Sequence, residues 1–200
     1  MWFLPSRSRA GNVKRFFEAY RRTGAVSPGV LRIDADDAGD YLGIELPVGW
    51  SLHIGQRMTL GEMTNEFFQL NPLAPWYGLI GDDVVPVTLG WDKTLISLAG
   101  RCGIAYPNDN HQAPQLACHM VIGGDLVREM GWLALPGLDR LYIDTVWTDI
   151  GRGRAVMVYA PGVLVEHYHF SNGKAPMDAV YKKPNAQRDA LCYEAWRANA

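Results

Sequence analysis

Pro75-Trp76-Tyr77-Gly78-Leu79-Ile80-Gly81-Asp82-Asp83 reads as a short buried strand that runs into two adjacent carboxylates. Tyr77, Leu79 and Ile80 suit a pleated, half-buried backbone. Gly81 lets the chain turn with no Cβ in the way. Asp82 and Asp83 are then expected at the carboxyl end of the strand, where open α/β sheets bind ligands. Two acids side by side repel, so the pair calls for a cation or several hydrogen-bond donors. A hard divalent ion that also carries a diphosphate meets that need, because such an ion takes oxygen ligands and shares them with phosphates. The plainer reading of the dipeptide alone is a polar turn with two solvated acids.

The segments before this stretch alternate strand and helix. Trp2-Phe3-Leu4 is expected to be a first strand, followed by the polar loop Pro5-Ser6-Arg7-Ser8-Arg9. Asn12 is placed to cap a helix from Val13 to about Thr23, closed by Gly24. Val30 to Ile33 reads as a second strand that ends in the acidic run Asp34 to Asp37, and Trp50 to Ile54 as a third. Thr59 and Glu62 have capping-box spacing, predicting a helix that runs to about Leu70 and is stopped at Asn71-Pro72. Strand, helix, strand at this spacing is a βαβ unit, so the fold class expected is α/β with a mostly parallel central sheet.

The pattern is looser after Asp83. Helices are expected at 91–99, 125–130 and 139–150. Strands are expected at 104–106, 119–122, 156–159 and 163–167, the last two on either side of the turn Ala160-Pro161-Gly162. The sequence divides into a domain over residues 2–183 and a helical tail over 184–200, broken and partly mobile at Pro184.

Composition narrows the function. The chain has 200 residues, 48% hydrophobic and 20% charged, which is an ordinary globular balance. The net charge of -2 gives no basic field for nucleic acid or membrane. Three scattered cysteines without CxxC spacing argue against a disulfide framework or a zinc site. Met1 to Leu4 is too short for a signal peptide, and no apolar run reaches transmembrane length, so a cytoplasmic setting is expected.

Taken in order, these features resemble the GT-A glycosyltransferases, in particular small family-2-like enzymes of bacteria and phages. Pro5-Ser6-Arg7 stands where that family begins its nucleotide site, and Asp34 and Asp36 where it holds the base. Arg57 and Asn65 fall where it has a basic residue and an Asn before the metal motif. Gly81-Asp82-Asp83 takes the place of its Asp-x-Asp, with Gly81 in the first acidic position. Gly123-Gly124 resembles paired glycines near the acceptor. Asp144 resembles the catalytic acid-bearing helix, though Ile143 replaces the acid that commonly precedes it. Glu166-His167-Tyr168-His169 is similar to a late histidine that joins the metal.

The resemblance implies a metal-dependent transfer of a sugar from a nucleotide-sugar donor, a UDP-sugar first, to an acceptor hydroxyl with inversion. Mn²⁺ or Mg²⁺ would be the cofactor, with Asp83 and His167 or His169 as ligands. On a strand both histidines would face one side. Asp82 would contact the ribose or a metal-bound water. Asp144 would take the acceptor's proton, with Asp125 and Asp149 in reserve, and Trp147, three residues on, would shape the sugar pocket. The acceptor is left open among a glycan, a lipid-linked sugar, a protein and a modified nucleobase in DNA. Two rivals stand beside this reading. A sugar nucleotidyltransferase would want a Gly-rich basic loop after the first strand, where this chain has only Gly11. A non-catalytic sugar-nucleotide or glycan-binding module would have no use for Asp144.

Overall fold

A computed structural model describes residues 1–182 and 186–199. Eight strands form one sheet: β1 (Trp2–Ser6), β2 (Gly29–Asp34), β3 (Trp50–Gly55), β4 (Trp76–Leu79), β5 (Val84–Pro86), β6 (Ile104–Asn108), β7 (Val121–Gly123) and β8 (Met157–His167). Their order across the sheet is β3-β2-β1-β4-β7-β6-β8-β5. Strands β3, β2, β1 and β4 run parallel, as the βαβ spacing predicts. The other half mixes directions, with β6 and β8 parallel. Strand β7 is antiparallel to both β4 and β6, and β5 is antiparallel to β8. The sheet is therefore mixed rather than mostly parallel. Helical connections return the chain in parallel only through β4, and β7 comes back along β4 from a loop.

Among the described residues, α-helices cover the sheet: α1 (Ala10–Arg22), α2 (Leu60–Leu70), α3 (Trp91–Ala99), α4 (Gly124–Met130), α5 (Ile143–Gly153) and α6 (Ala186–Arg197). Alternation along β1 decides the two faces. Trp2 and Leu4 point to the layer of α1 and α3, packed with Phe16, Phe17, Tyr20, Trp91 and Leu95. Phe3 points the other way, to the layer of α2, α4 and α5, with Met63, Phe67, Leu126 and Trp147. Helix α1, which leaves β1, and α2, which leads into β4, thus lie on opposite faces. A crevice opens at the carboxyl ends of β1 and β4, where the winding changes sides.

Several boundaries differ from the sequence expectation, each for a visible cause. The α2 capping box forms as predicted, with Thr59 and Glu62 bonded reciprocally. Helix α1 begins at Ala10, and Arg9 rather than Asn12 holds the cap position. Helix α5 begins at Ile143 instead of Asp139, because the N–H groups of Asp139, Arg140 and Leu141 all donate to the Asp189 carboxylate of α6. The same bonds dock α6 on the domain; the expected break at Pro184 and the 183/184 boundary lie outside the described residues. His119 has φ of 54° and stands outside β7, which starts at Val121. The two strands expected around Pro161 are one, β8, whose register against β6 passes over residues 161–163. Among the described residues no helix is long and apolar enough to cross a membrane.

Candidate active site

Asp82 and Asp83 sit at the crevice, between the end of β4 and the start of β5, and both are buried. Gly81 is needed here for space more than for its turn. A Cβ on it would lie 2.7 Å from Asp83 Oδ1 and 3.4 Å from His119 Cε1. Ser6, the last residue of β1, donates its hydroxyl to Asp82 Oδ2 at 2.6 Å. Arg9 donates one amino group to Asp82 Oδ1 at 3.1 Å and approaches Asp83 Oδ2 at 3.5 Å. Its Nε bonds Asp178, and its guanidinium lies 4.1 Å from the ring centre of Tyr181. Tyr181 itself donates to Asp83 Oδ2 at 2.7 Å. The repulsion anticipated for the two acids is thus met by an arginine and two hydroxyls.

Backbone register brings three further groups to Asp83. Val84 pairs with His167 across β5 and β8, and the Tyr168 N–H donates to Asp83 O at 2.7 Å. The His167 N–H donates to Asp109 O, just past β6. The His167 ring therefore lies between two carboxylates, with Nε2 3.4 Å from Asp83 Oδ1 and Nδ1 3.4 Å from Asp109 Oδ2. Asp109 is fully buried, and its Oδ1 accepts the N–H groups of His111, Gln112 and Ala113. His119 stacks edge-on at 4.7 Å from His167, accepts the Gly81 N–H on Nδ1, and leaves Nε2 shielded and without a hydrogen-bond partner. Single ligand atoms of Asp109, His119 and His167 lie within 4.8 Å of one another, a grouping able to hold a metal ion.

The electrostatics sort these groups. Burial works against charge on every one of them. At Asp82 burial and the neighbouring Asp83 win, and the carboxyl is pushed up. At Asp83 burial is outweighed by His167 and Tyr181, so its carboxyl is held well below the usual range. At Asp109 burial is outweighed by His167 and the backbone N–H groups, with the same result. His167, favoured by both acids over its burial, rises to about 9. His119, buried and beside His167, falls to about 3 and is neutral.

Two cavities meet at Asp83. The first, about 330 Å³, is bounded by Pro5, Ser6, Arg7, Asp34, Arg57 and Asp82 among others. The second, about 290 Å³, is bounded by Cys118, His119, Asp144, His167 and His169 among others. Gly81, Asp83 and Arg140 belong to both walls. In the first, Arg7 is held by Asp34 and, in a two-pronged pair, by exposed Asp36. Asp34 Oδ1 is shielded with no hydrogen-bond partner; Arg32 stands 3.6 Å away. In the second, Asp144 is half-buried in the first turn of α5, accepts a thiol contact from Cys118 at 3.4 Å, and has its pKa raised by desolvation.

Not every residue singled out from the sequence comes here. Gly123 pairs with Trp76, at the start of β4, so Gly123 and Gly124 lie at the opposite end of the strand from Asp82. There Gly123 presses on the backbone of Arg101 and Cys102, where a Cβ would come within 2.2 Å. Asn65 pins the backbone of Leu133 and Ala134 instead of facing a cavity. Trp147 is a core residue that donates to Leu133 O. His169 lies beyond the end of β8, in the wall of the second cavity, bonded to Ser171 and stacked on His111 but outside the Asp109, His119 and His167 grouping. Asp125 is paired with Arg101 and Arg128, and Asp149 is bonded by Tyr193. Conversely, Arg9, Asp109, His119, Arg140 and Tyr181 belong to the site although nothing in their spacing points there. The one available signal was charge: Arg9 is the second guanidinium in the loop that leaves β1.

No protein-family profile and no curated protein matches the sequence. Solved structures do match. A mannosyltransferase from Pyrobaculum calidifontis, in complex with GDP-Man and Mn²⁺, superposes with a TM-score of 0.61 at 12% identity, over 83% of this chain. The chain shares its fold with that enzyme. The chain spans only 55% of that mannosyltransferase's length. Rv0371c of Mycobacterium tuberculosis H37Rv, solved with manganese, has a TM-score of 0.55 at 12% identity over 82% of this chain and 89% of its own. Its homologue from Mycobacterium sp. strain JC1 has a TM-score of 0.54 at 12% identity, covering 99% and 94% of the two chains.

Proposed function

We propose that this chain is a metal-dependent glycosyltransferase that moves a sugar from a nucleoside-diphosphate sugar, a UDP-sugar first, to an acceptor hydroxyl with inversion. The family-2-like kinship is part of the same proposal. The observation that carries it is the wall shared by the two cavities at Asp83 and Arg140. One cavity offers what a nucleotide needs. Arg7, Arg57 and Arg140 supply guanidiniums for a diphosphate, and Asp34, which holds Arg7, stands in the same wall toward the base. The other offers Asp144, a half-buried carboxylate with a raised pKa, suited to take a proton from an acceptor hydroxyl. A sugar at the seam would sit between leaving group and base, as direct displacement requires.

The residues fit a divalent ion of the Mn²⁺ or Mg²⁺ kind, with Asp83 and His167 to hold it. Such an ion, when bound, supplies charge neutralisation to a departing diphosphate. Manganese in two of the similar structures, and GDP-Man in one, support the assignment. Asp82, bonded to Ser6 and Arg9, fits a ribose contact.

Calorimetry with UDP and GDP, in Mn²⁺ and then in EDTA, tests the donor assignment. Nucleotide affinity is expected to fall at least about tenfold without the ion, and Asp83→Asn to weaken ion and nucleotide together. Equal affinity in both conditions would remove the ion from the account. Nucleotide binding without any sugar release, in the presence of Mn²⁺, would favour the binding-module reading.

A further inference from the structure

We infer that Asp109 positions His167 as a metal ligand, fixing which ring nitrogen carries the proton, and is not itself a ligand. This deepens the donor-site reading above and rests on its metal. The geometry around His167 has two unequal sides. On the Nδ1 side stands a carboxylate that cannot turn away, because three backbone N–H groups hold its other oxygen. Asp109 is fully buried and its Oδ2 faces only the imidazole. On the Nε2 side, Asp83 Oδ1 lies 3.4 Å away. Both ring contacts, at 3.4 Å, are long for an N–H···O hydrogen bond of the usual length, about 2.9–3.0 Å; the sides differ because Asp109 has its second oxygen fixed by backbone N–H groups while Asp83 does not. Two ligand atoms each about 2.1 Å from one ion stand about 3.0–3.4 Å apart, and the Asp83 and His167 atoms match that spacing.

A carboxylate on Nδ1 keeps the proton there and presents the Nε2 lone pair toward Asp83. Metal-bound histidines are generally oriented this way. His119 does not supply the lone pair instead. Its Nδ1 accepts the Gly81 N–H, so in the neutral ring the proton resides on Nε2. One imidazole nitrogen beside carboxylate oxygen favours Mn²⁺, Fe²⁺, Co²⁺ or Zn²⁺ over Mg²⁺.

The test uses the full chain and Mn²⁺ alone, with no donor. Free Mn²⁺ is followed by electron paramagnetic resonance in wild type, Asp109→Asn, His167→Ala and the double variant. Asn keeps the shape and the three backbone bonds, but offers an N–H to Nδ1 and so drives the ring proton to Nε2. Asp109→Asn is expected to weaken Mn²⁺ about 10–100-fold in wild type and to have no further effect once His167 is Ala. A further loss in the His167→Ala background would make Asp109 a direct ligand and overturn the proposal. So would wild-type affinity in folded Asp109→Asn. Should that variant not fold, nitrogen coupling to bound Mn²⁺ in the wild-type protein decides. Imidazole coupling is expected, and its absence overturns the proposal without any variant. Mn²⁺ bound through His167 with nucleotide affinity indifferent to it would sink the donor reading and leave this assignment standing.

Discussion

Replacing Asp144 by Asn tests transfer chemistry most directly. The substitution is isosteric, and the local structure can absorb it. The Asp144 Oδ1 accepts the Thr145 N–H at 2.9 Å, and an amide oxygen can do the same. The Cys118 thiol loses at most a weak acceptor. What the variant cannot do is take a proton. A positioned general base contributes about 10²–10⁴-fold, which at 1.36 kcal/mol per decade is about 2.7–5.4 kcal/mol of barrier. An interaction made only in the transition state lowers kcat and leaves ground-state binding alone, so nucleotide affinity should hold. The pH profile gives a second signature. Burial raises the Asp144 pKa, so activity should fall on its acid side at a higher pH than an ordinary carboxylate would give, and that limb should vanish in the variant. Donor hydrolysis by water serves as the assay until an acceptor is found. A folded Asp144→Asn protein that turns over at the wild-type rate refutes the assignment; activity that merely tracks the folded fraction makes Asp144 structural.

Two other substitutions probe the scaffold. Gly81→Ala sets a Cβ 2.7 Å from Asp83 Oδ1, so Mn²⁺ affinity should drop by an order of magnitude or more with the melting temperature little changed, read by calorimetry and circular dichroism. Asp92 is fully buried and accepts the N–H groups of Val26 and Ser27 and the Ser27 hydroxyl; burial opposes its charge, but these bonds win and hold its pKa low. Its stabilisation is present above the unfolded value of about 3.9 and is lost as pH falls through the lower folded value. Urea unfolding should therefore show Asp92→Asn less stable by about 1–3 kcal/mol at neutral pH, the gap closing below about pH 4; a constant gap would refute the ionic account.

The half of the fold that repeats was legible. Trp2 to Leu70 alternates strand and helix with ordinary caps, and the Thr59–Glu62 box is a local bond that spacing alone specifies. Where long-range partners decide the backbone, the reading failed. Residues 139–141 have helical composition, yet an acid about fifty residues later draws off their N–H groups. Gly123-Gly124 was placed at the site because its order along the chain suited it, but strand direction sets which end of a sheet a residue reaches, and β7 runs backwards. Trp147 shares a helix with Asp144, but the apolar layer of α5 buries it. Asp82, Asp83, Asp34, Arg7 and Arg57 come to the wall of one cavity because all lie at or just past strand ends of the parallel half.

That contrast explains where the chemistry sits. At the carboxyl ends of β1 and β4 no helix closes the crevice, since α1 covers one face and α2 the other. A residue at or just past those strand ends is held by rigid backbone against the crevice wall. Ser6, Arg9, Asp82 and Asp83 are such residues, and their mutual bonds follow from position as much as from sequence. The half with mixed directions then does something the parallel half does not. Because β5 pairs with β8, and His167 bonds the backbone of Asp109, a histidine from late in the chain arrives beside Asp83 with its other nitrogen already facing a fixed carboxylate. The mixed sheet is thus the means by which an acidic pair at a switch point acquires a nitrogen partner, and changes that shift β8 along β5 by one residue would turn that ring to the other face.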